Sequence, residues 1–104
     1  MDIELLPVGR ISVDLYAEQL NVPLEDVQSF RKSIGGTATN VAVATARLGH
    51  HAALVTRVGN DPMGRYIRHA LEDTFKVDTR YVQTDPNLRT PLAFATMEDP
   101  AEPT

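Results

Sequence analysis

The sequence predicts an α/β domain built on a parallel sheet with flanking helices. Three observations carry that expectation. Strand-like and helix-like runs alternate from Ser33 to Val82, the pattern of βαβ units. The run Val41–Leu48 contains no helix breaker and is closed by Gly49, which suits the left-handed position after a helix. Asp61-Pro62 reads as a helix start, an N-capping carboxylate followed by proline in the first helical position.

Taken in order, Ile3–Val8 is a short apolar strand, expected to be moderately buried. Pro7 conflicts with a ladder position, because proline has no N–H to donate. Either the strand ends near Leu6 or it bulges there. Gly9-Arg10 breaks the run, and Ile11–Tyr16 alternates Ile11, Val13 and Leu15 with Ser12, Asp14 and Tyr16. Glu18–Asp26 is polar, contains Pro23 and reads as a loop. Val27–Ile34 alternates with weak hydrophobicity on both faces, which suits an edge or a flap standing off the main body.

The helix Val41–Leu48 shows an apolar stripe of Val41, Ala44, Thr45 and Leu48 and is apolar over most of its remaining surface, so burial is expected. Ala52–Val58 has the continuous hydrophobicity of a strand covered on both sides. In the helix that starts at Asp61, Met63, Ile67, Ala70 and Leu71 form the inner stripe, with Arg65, Arg68, His69, Glu72 and Asp73 facing water. Val77–Val82 is a strand, Asp85-Pro86-Asn87 a turn, and Pro91–Met97 another strand. Glu98–Thr104 is acidic and proline-rich, the composition of an unstructured end or a cut turn.

Composition narrows the function classes. At 104 residues the chain is one domain at most, with 42% hydrophobic and 23% charged residues. A net charge of −4 gives no electrostatic case for nucleic acid or an anionic membrane. There is no cysteine, which removes disulfide and thiolate-metal chemistry and fits a reducing cytoplasmic setting. No signal peptide or membrane-spanning run is readable. His50 and His51 point to opposite sides of an extended chain, with no second ligand pair nearby, so they do not argue for a metal.

The most informative stretch is Gly35-Gly36-Thr37-Ala38-Thr39-Asn40. Two glycines ahead of a helix leave free N–H groups and the positive end of the helix dipole available to a ligand. Asn40, about one turn in, has an amide that both donates and accepts. Two readings stand: a site for a polar, hydroxylated or anionic small molecule, or a tight loop that needs glycine only to turn. Asp14 likewise reads either as a solvated residue or as a carboxylate at a sheet end that accepts ligand hydroxyls, and Arg10 has the same two readings. For Asp61 the capping role is preferred. Ligands of such sheets bind outside the carboxyl ends of the strands, which here means Gly9-Arg10 and Gly59. The common nucleotide loops G-x-x-x-x-G-K-[ST] and G-x-G-x-x-G are absent.

These blocks carry a resemblance. Gly35-Gly36-Thr37-Ala38-Thr39-Asn40-Val41-Ala42, Ala46-Arg47-Leu48-Gly49 and Val58-Gly59-Asn60-Asp61-Pro62-Met63-Gly64 resemble, in order and spacing, the N-terminal signature of the PfkB (ribokinase-like) carbohydrate kinases. Gly9-Arg10-Ile11-Ser12-Val13-Asp14-Leu15 is similar to that family's first strand with its ligand aspartate. Within the family, the form is most similar to the 5-dehydro-2-deoxygluconokinases of myo-inositol breakdown, with other sugar and sugar-acid kinases, such as 2-keto-3-deoxygluconate kinases, as the alternative.

The resemblance implies a Rossmann-like fold with a small β lid over the sugar, residues about 15–33 and 90–98 supplying lid strands. It implies that Asp14 and Asn40 hold sugar hydroxyls and that Gly35 and Gly36 lay the backbone against the sugar. It implies ATP and Mg2+ as co-substrates, and a lid that pairs two subunits in a homodimer. The family's catalytic base and nucleotide pocket belong to a later glycine-rich signature, so no residue of this chain is expected to serve either, and the chain reads as an N-terminal portion truncated before the ATP site. A non-catalytic chain that only binds ligand or dimerises is the reading from another class. Two departures stand out: Pro7 falls in what should be a central strand, and Lys76 stands where the family closes a helix with glycine.

Overall fold

The computed structural model describes residues 2–98. The expected unstructured end therefore lies outside the described residues from Asp99 onward. Among the described residues there are five strands: β1 (Ser12–Leu20), β2 (Phe30–Gly35), β3 (Thr56–Gly59), β4 (Val82–Asp85) and β5 (Leu92–Met97). Two helices join them, α1 (Thr37–Arg47) and α2 (Pro62–His69), and α2 runs on into a π turn at Ala70–Thr74.

The strands divide into two sheets. The first is parallel. β3 pairs with β4 from Thr56↔Val82 to Gly59↔Asp85, and single bridges at Leu5↔Ala52, Val8↔Val55 and Ala53↔Asp78 lengthen it at the N-terminal side. The order across it is therefore the N-terminal segment, the Ala52–Gly59 strand, then Asp78–Asp85. Pro7 fits without a bulge, since both bridges on that segment hold one register. Its carbonyl accepts from the Val55 N–H at 3.0 Å, and Gly9 N–H continues to the Val55 carbonyl. Pro7 lies on an edge among the described residues, where a missing N–H costs nothing. The segment is also less buried than expected: Val8 is 74% exposed.

The strand expected at Val77–Val82 is interrupted. Asp78 Oδ1 accepts from Arg80 N–H and Val82 N–H closes onto Thr79, making a turn. One extra residue enters there, so the pairing offset grows between Ala53↔Asp78 and Thr56↔Val82. The turn at Asp85-Pro86-Asn87 is present, with Asp85 Oδ1 accepting from Asn87 N–H at 2.9 Å.

The second sheet has the order β2-β1-β5. β1 and β2 are antiparallel, with Asp14↔Ser33 and Ser12↔Gly35 opposite each other. β1 and β5 are parallel, with Asp14↔Ala93, and their register slips between Tyr16 and Leu20. β1 is longer than its apolar alternation suggests, running through Glu18 to Leu20, and the predicted loop contains a short 3-10 turn at Leu24–Asp26.

One core serves both sheets. Ile11, Val13 and Ile34 join Ala42 of α1, Ile67, Ala70 and Leu71 around α2, and Leu54, Val58, Val77 and Val82 from the parallel sheet. Both helices thus pack on the same face of that sheet, as two successive right-handed crossovers in one direction require. The α2 stripe is as expected. The α1 stripe is not: Val41 is 42% and Leu48 78% exposed, whereas Thr39 and Ala42 are fully buried. An alanine-rich helix is apolar on every side, so its pattern does not choose a face. The helix ends by a Schellman arrangement, with Gly49 at φ 89° and its N–H on Ala46, while His50 N–H reaches Thr45.

Candidate functional site

β1 and β2 bring Asp14 onto Gly35. A Cβ built on Gly35 would lie 2.6 Å from Asp14 Oδ1 and closer still to Oδ2, so the carboxylate rests against the bare Cα and any side chain there would displace it. The carboxylate is held from its own strand, where side chains two residues apart share a face. Ser12 Oγ donates to Oδ1 at 2.7 Å, and the Tyr16 hydroxyl donates to Oδ2 at a longer 3.4 Å.

Gly36 is the N-cap of α1, with φ 113° and ψ 144°, a backbone region that is essentially glycine-only. A Cβ there would also collide with the Arg10 carbonyl. The two glycines thus have different reasons: Gly35 makes room for a carboxylate, and Gly36 makes the turn and lets Arg10 close in. The space beside each is taken by the chain itself.

Asn40 lies in the first turn of α1, its N–H on the Gly36 carbonyl at 2.9 Å. Its side chain is exposed. Its neighbour Thr39 is buried, and Oγ1 has no hydrogen-bond partner among the described residues, a condition that costs about 1–3 kcal/mol. That oxygen lies 3.4 Å from the Cβ position of Gly36.

Two clefts flank the Val8–Ile11 segment, where the chain passes from the parallel sheet into β1. The larger, about 580 Å³, is closed by Val55, Thr56, Arg57, Gln83 and Leu88. The other, about 530 Å³, is closed by Ser12, Gly36, Thr37 and Ala38. Arg10 and Pro91 line both. Of the four residues singled out in the sequence, only Gly36 lines a cleft. Asp14 and Gly35 stand together on the adjoining strands, and Asn40 closes the first turn of α1 with its side chain exposed. Gly59, expected at the mouth, is instead buried.

Asp61 does more than the capping expected of it. Oδ1 accepts from Gly64 N–H at 2.7 Å and from Thr90 Oγ1 at 2.7 Å, and Oδ2 accepts from Thr90 N–H at 3.0 Å. The Thr90 bonds, with that from Gly64, hold its carboxyl below the usual carboxylate range. Thr90 Oγ1 also accepts from Gly59 N–H at 3.0 Å. No sequence signal pointed to Thr90, because its partner lies 29 residues away. Arg68, expected in water, donates to the Val82 carbonyl and Thr84 Oγ1, both at 2.7 Å.

Each histidine ring meets a different carboxylate. His50 Nδ1 lies 2.8 Å from Glu4 Oε2, and His51 Nε2 lies 3.0 Å from Asp78 Oδ2. Among the described residues no group of three or more His, Cys, Asp or Glu side chains is placed to hold a metal, and no helix is long and apolar enough to cross a membrane.

Known proteins match this geometry and sequence. The pfkB family carbohydrate kinase model matches residues 2–104. A 5-dehydro-2-deoxygluconokinase of Geobacillus kaustophilus is 36% identical over 101 residues, which is 96% of this chain and 30% of that protein. A sugar kinase from Pyrococcus horikoshii, solved in complex with ATP, superposes with a TM-score of 0.84 at 35% identity, over 96% of this chain and 32% of its own. A PfkB protein from Polaromonas sp. JS666 gives a TM-score of 0.90 at 30% identity, over 98% and 34%. The chain therefore spans about 30% of the length of the curated relatives it matches. With all of residues 2–104 covered, this chain belongs to the pfkB family of carbohydrate kinases.

Proposed function

We infer that the complete protein carrying this chain phosphorylates a sugar acid with ATP, and that its substrate is 5-dehydro-2-deoxy-D-gluconate. The observation that carries this reading is the Asp14 carboxylate seated on Gly35 beside the N-cap of α1. A carboxylate held on a strand accepts hydroxyl protons in a fixed geometry, and phosphoryl transfer depends mostly on positioning and charge stabilisation. Asp14 and Asn40 grip the hydroxyls, while Gly35 and Gly36 serve the site by seating the Asp14 carboxylate and by turning the backbone into α1. Arg10 lines both clefts and makes no ion pair among the described residues, which leaves a guanidinium for the acid group. The naming of relatives such as that of Geobacillus kaustophilus supports the choice of acid.

ATP is the proposed donor, in keeping with the ATP complex of the Pyrococcus horikoshii relative, and Mg2+ is its proposed companion. No described residue is assigned to nucleotide or metal. The three-stranded sheet is the proposed lid. Its exposed Leu92 and Phe94, the latter 5.6 Å from Phe30 in an edge contact, favour pairing with the lid of a second copy. The reading sets the reaction in the cytosol, in line with a chain free of cysteine.

A coupled ATP-consumption assay of the complete protein across neutral sugars and sugar acids tests it. Turnover with 5-dehydro-2-deoxygluconate well above the rest is expected. Preference for 2-keto-3-deoxygluconate or for a neutral sugar overturns the substrate, and silence with every sugar favours a non-catalytic role.

A further inference from the structure

We propose that Thr90 and Asp61 are positioning residues that fasten the root of the lid and thereby set where Asp14 stands. The inference rests on the reading of Asp14 as a sugar ligand. The fastening is continuous. Asp61, fixed at the start of α2, takes both the N–H and the hydroxyl of Thr90. Thr90 is 6% exposed, and its hydroxyl oxygen also takes the Gly59 N–H at the end of β3. The next residue, Pro91, accepts from Val13 N–H at 2.9 Å. Val13 immediately precedes Asp14, and β5 then pairs along β1 with Ala93 opposite Asp14. A single hydroxyl and a single carboxylate therefore join the parallel sheet, α2 and the strand that carries the sugar-binding side chain.

The glycines of Gly59-Asn60-Asp61-Pro62-Met63-Gly64 are explained by the same arrangement. A Cβ on Gly59 would strike the Leu88 carbonyl first and would also come within 2.6 Å of Asp61 Oδ2 and 2.9 Å of Thr90 N, and one on Gly64 would strike the Gly59 carbonyl. Helix capping alone needs only the Gly64 bond. Packing Gly59, Gly64 and Thr90 around one carboxylate is what a fastened joint needs. Two carboxylate oxygens accept three protons here, and the hydroxyl completes the set by accepting a fourth, so the joint has one geometry rather than several.

The test uses the complete protein with Thr90→Val, which keeps shape and the Asp61–Gly64 cap but removes the hydroxyl, Thr90→Ser, which restores it, and Asp14→Ala. Steady-state KM values for sugar acid and ATP are read beside amide exchange at Val13 and at Ile67. The proposal expects Thr90→Val to raise the sugar KM about tenfold with the ATP KM unchanged, to speed exchange at Val13 but not at Ile67, and Thr90→Ser to reverse both. Unchanged exchange at Val13 overturns it, as does an unchanged sugar KM in Thr90→Val where Asp14→Ala raises that KM. If Asp14→Ala leaves the sugar KM alone, the sugar-ligand reading has failed, and Val13 exchange by itself decides the joint.

Discussion

The Asp14 carboxylate occupies the volume that a side chain on Gly35 would need. A carboxylate on the end of a short side chain can swing away, whereas the backbone that opposes a side chain on Gly36 cannot. Gly35→Ala is therefore expected to spare the fold and raise the sugar KM, by evicting the carboxylate from its bond to Ser12. Gly36→Ala must adopt a glycine-only backbone against the Arg10 carbonyl and is expected to lose about 1–3 kcal/mol. Denaturant titration beside sugar KM separates the two. The reverse pattern would show that the glycines have been assigned the wrong reasons.

Arg10 is exposed and lines both clefts without an ion pair among the described residues. If it meets the acid group, Arg10→Gln raises the KM for a sugar acid about tenfold, the scale of one charge-assisted pair, and leaves that for its neutral sugar analogue within twofold. Equal losses for both would remove it from acid recognition.

Asp78 joins Arg80 at 2.8 Å and His51 at 3.0 Å. The Arg80 guanidinium and N–H, with His51, pull its carboxyl down to about 2 from an ordinary 3.8. A depressed folded-state value contributes stability that is present above the unfolded value and is lost as pH falls through the folded one. Stability is therefore expected to fall between about pH 4 and pH 2 through this group, and Asp78→Asn to flatten that limb. Urea midpoints from pH 5 to pH 2 provide the check, and identical slopes would remove Asp78 from the account.

Lys76 follows the π turn in a left-handed conformation, φ 58°. The departure noted in the sequence thus takes the strained form, at a cost of about 1–2 kcal/mol for a non-glycine residue. Lys76→Gly relieves it but adds unfolded-chain entropy of about 0.5–1 kcal/mol, so a net gain of about 0.5–1 kcal/mol is expected in thermal or urea unfolding. A loss would show that the lysine side chain makes a contact worth more than the strain.

Local chemistry made part of this legible. The N-cap of α2, the Gly49 closure of α1 and the βαβ order depend on residues within a few positions of each other, and the structure has all three. The face of α1 was not legible, because alanines make every side apolar and only the neighbouring sheet decides which side is covered. The reach of β1 to Leu20 was hidden for a related reason: Glu18 is a poor strand residue, and the strand is extended not by hydropathy but by the Glu18 N–H on the Ser29 carbonyl just ahead of β2 and by Leu20 opposite Met97 of β5. In the candidate site the glycine pair and Asp14 stood out as residue types. That Gly35 exists for Asp14 is a cross-strand fact set by register. Thr90 carried no signal at all, since its meaning comes only from Asp61 across the fold.

The most direct measurement is the pair of KM values, for sugar acid and for ATP, in Asp14→Ala and Asn40→Ala versions of the complete protein. A sugar KM raised about tenfold or more is expected from the loss of hydrogen bonds to a charged or amide group, with the ATP KM within twofold of the parent. Equal effects on both constants, or none on the sugar, would contradict the assignment of these residues as the sugar grip.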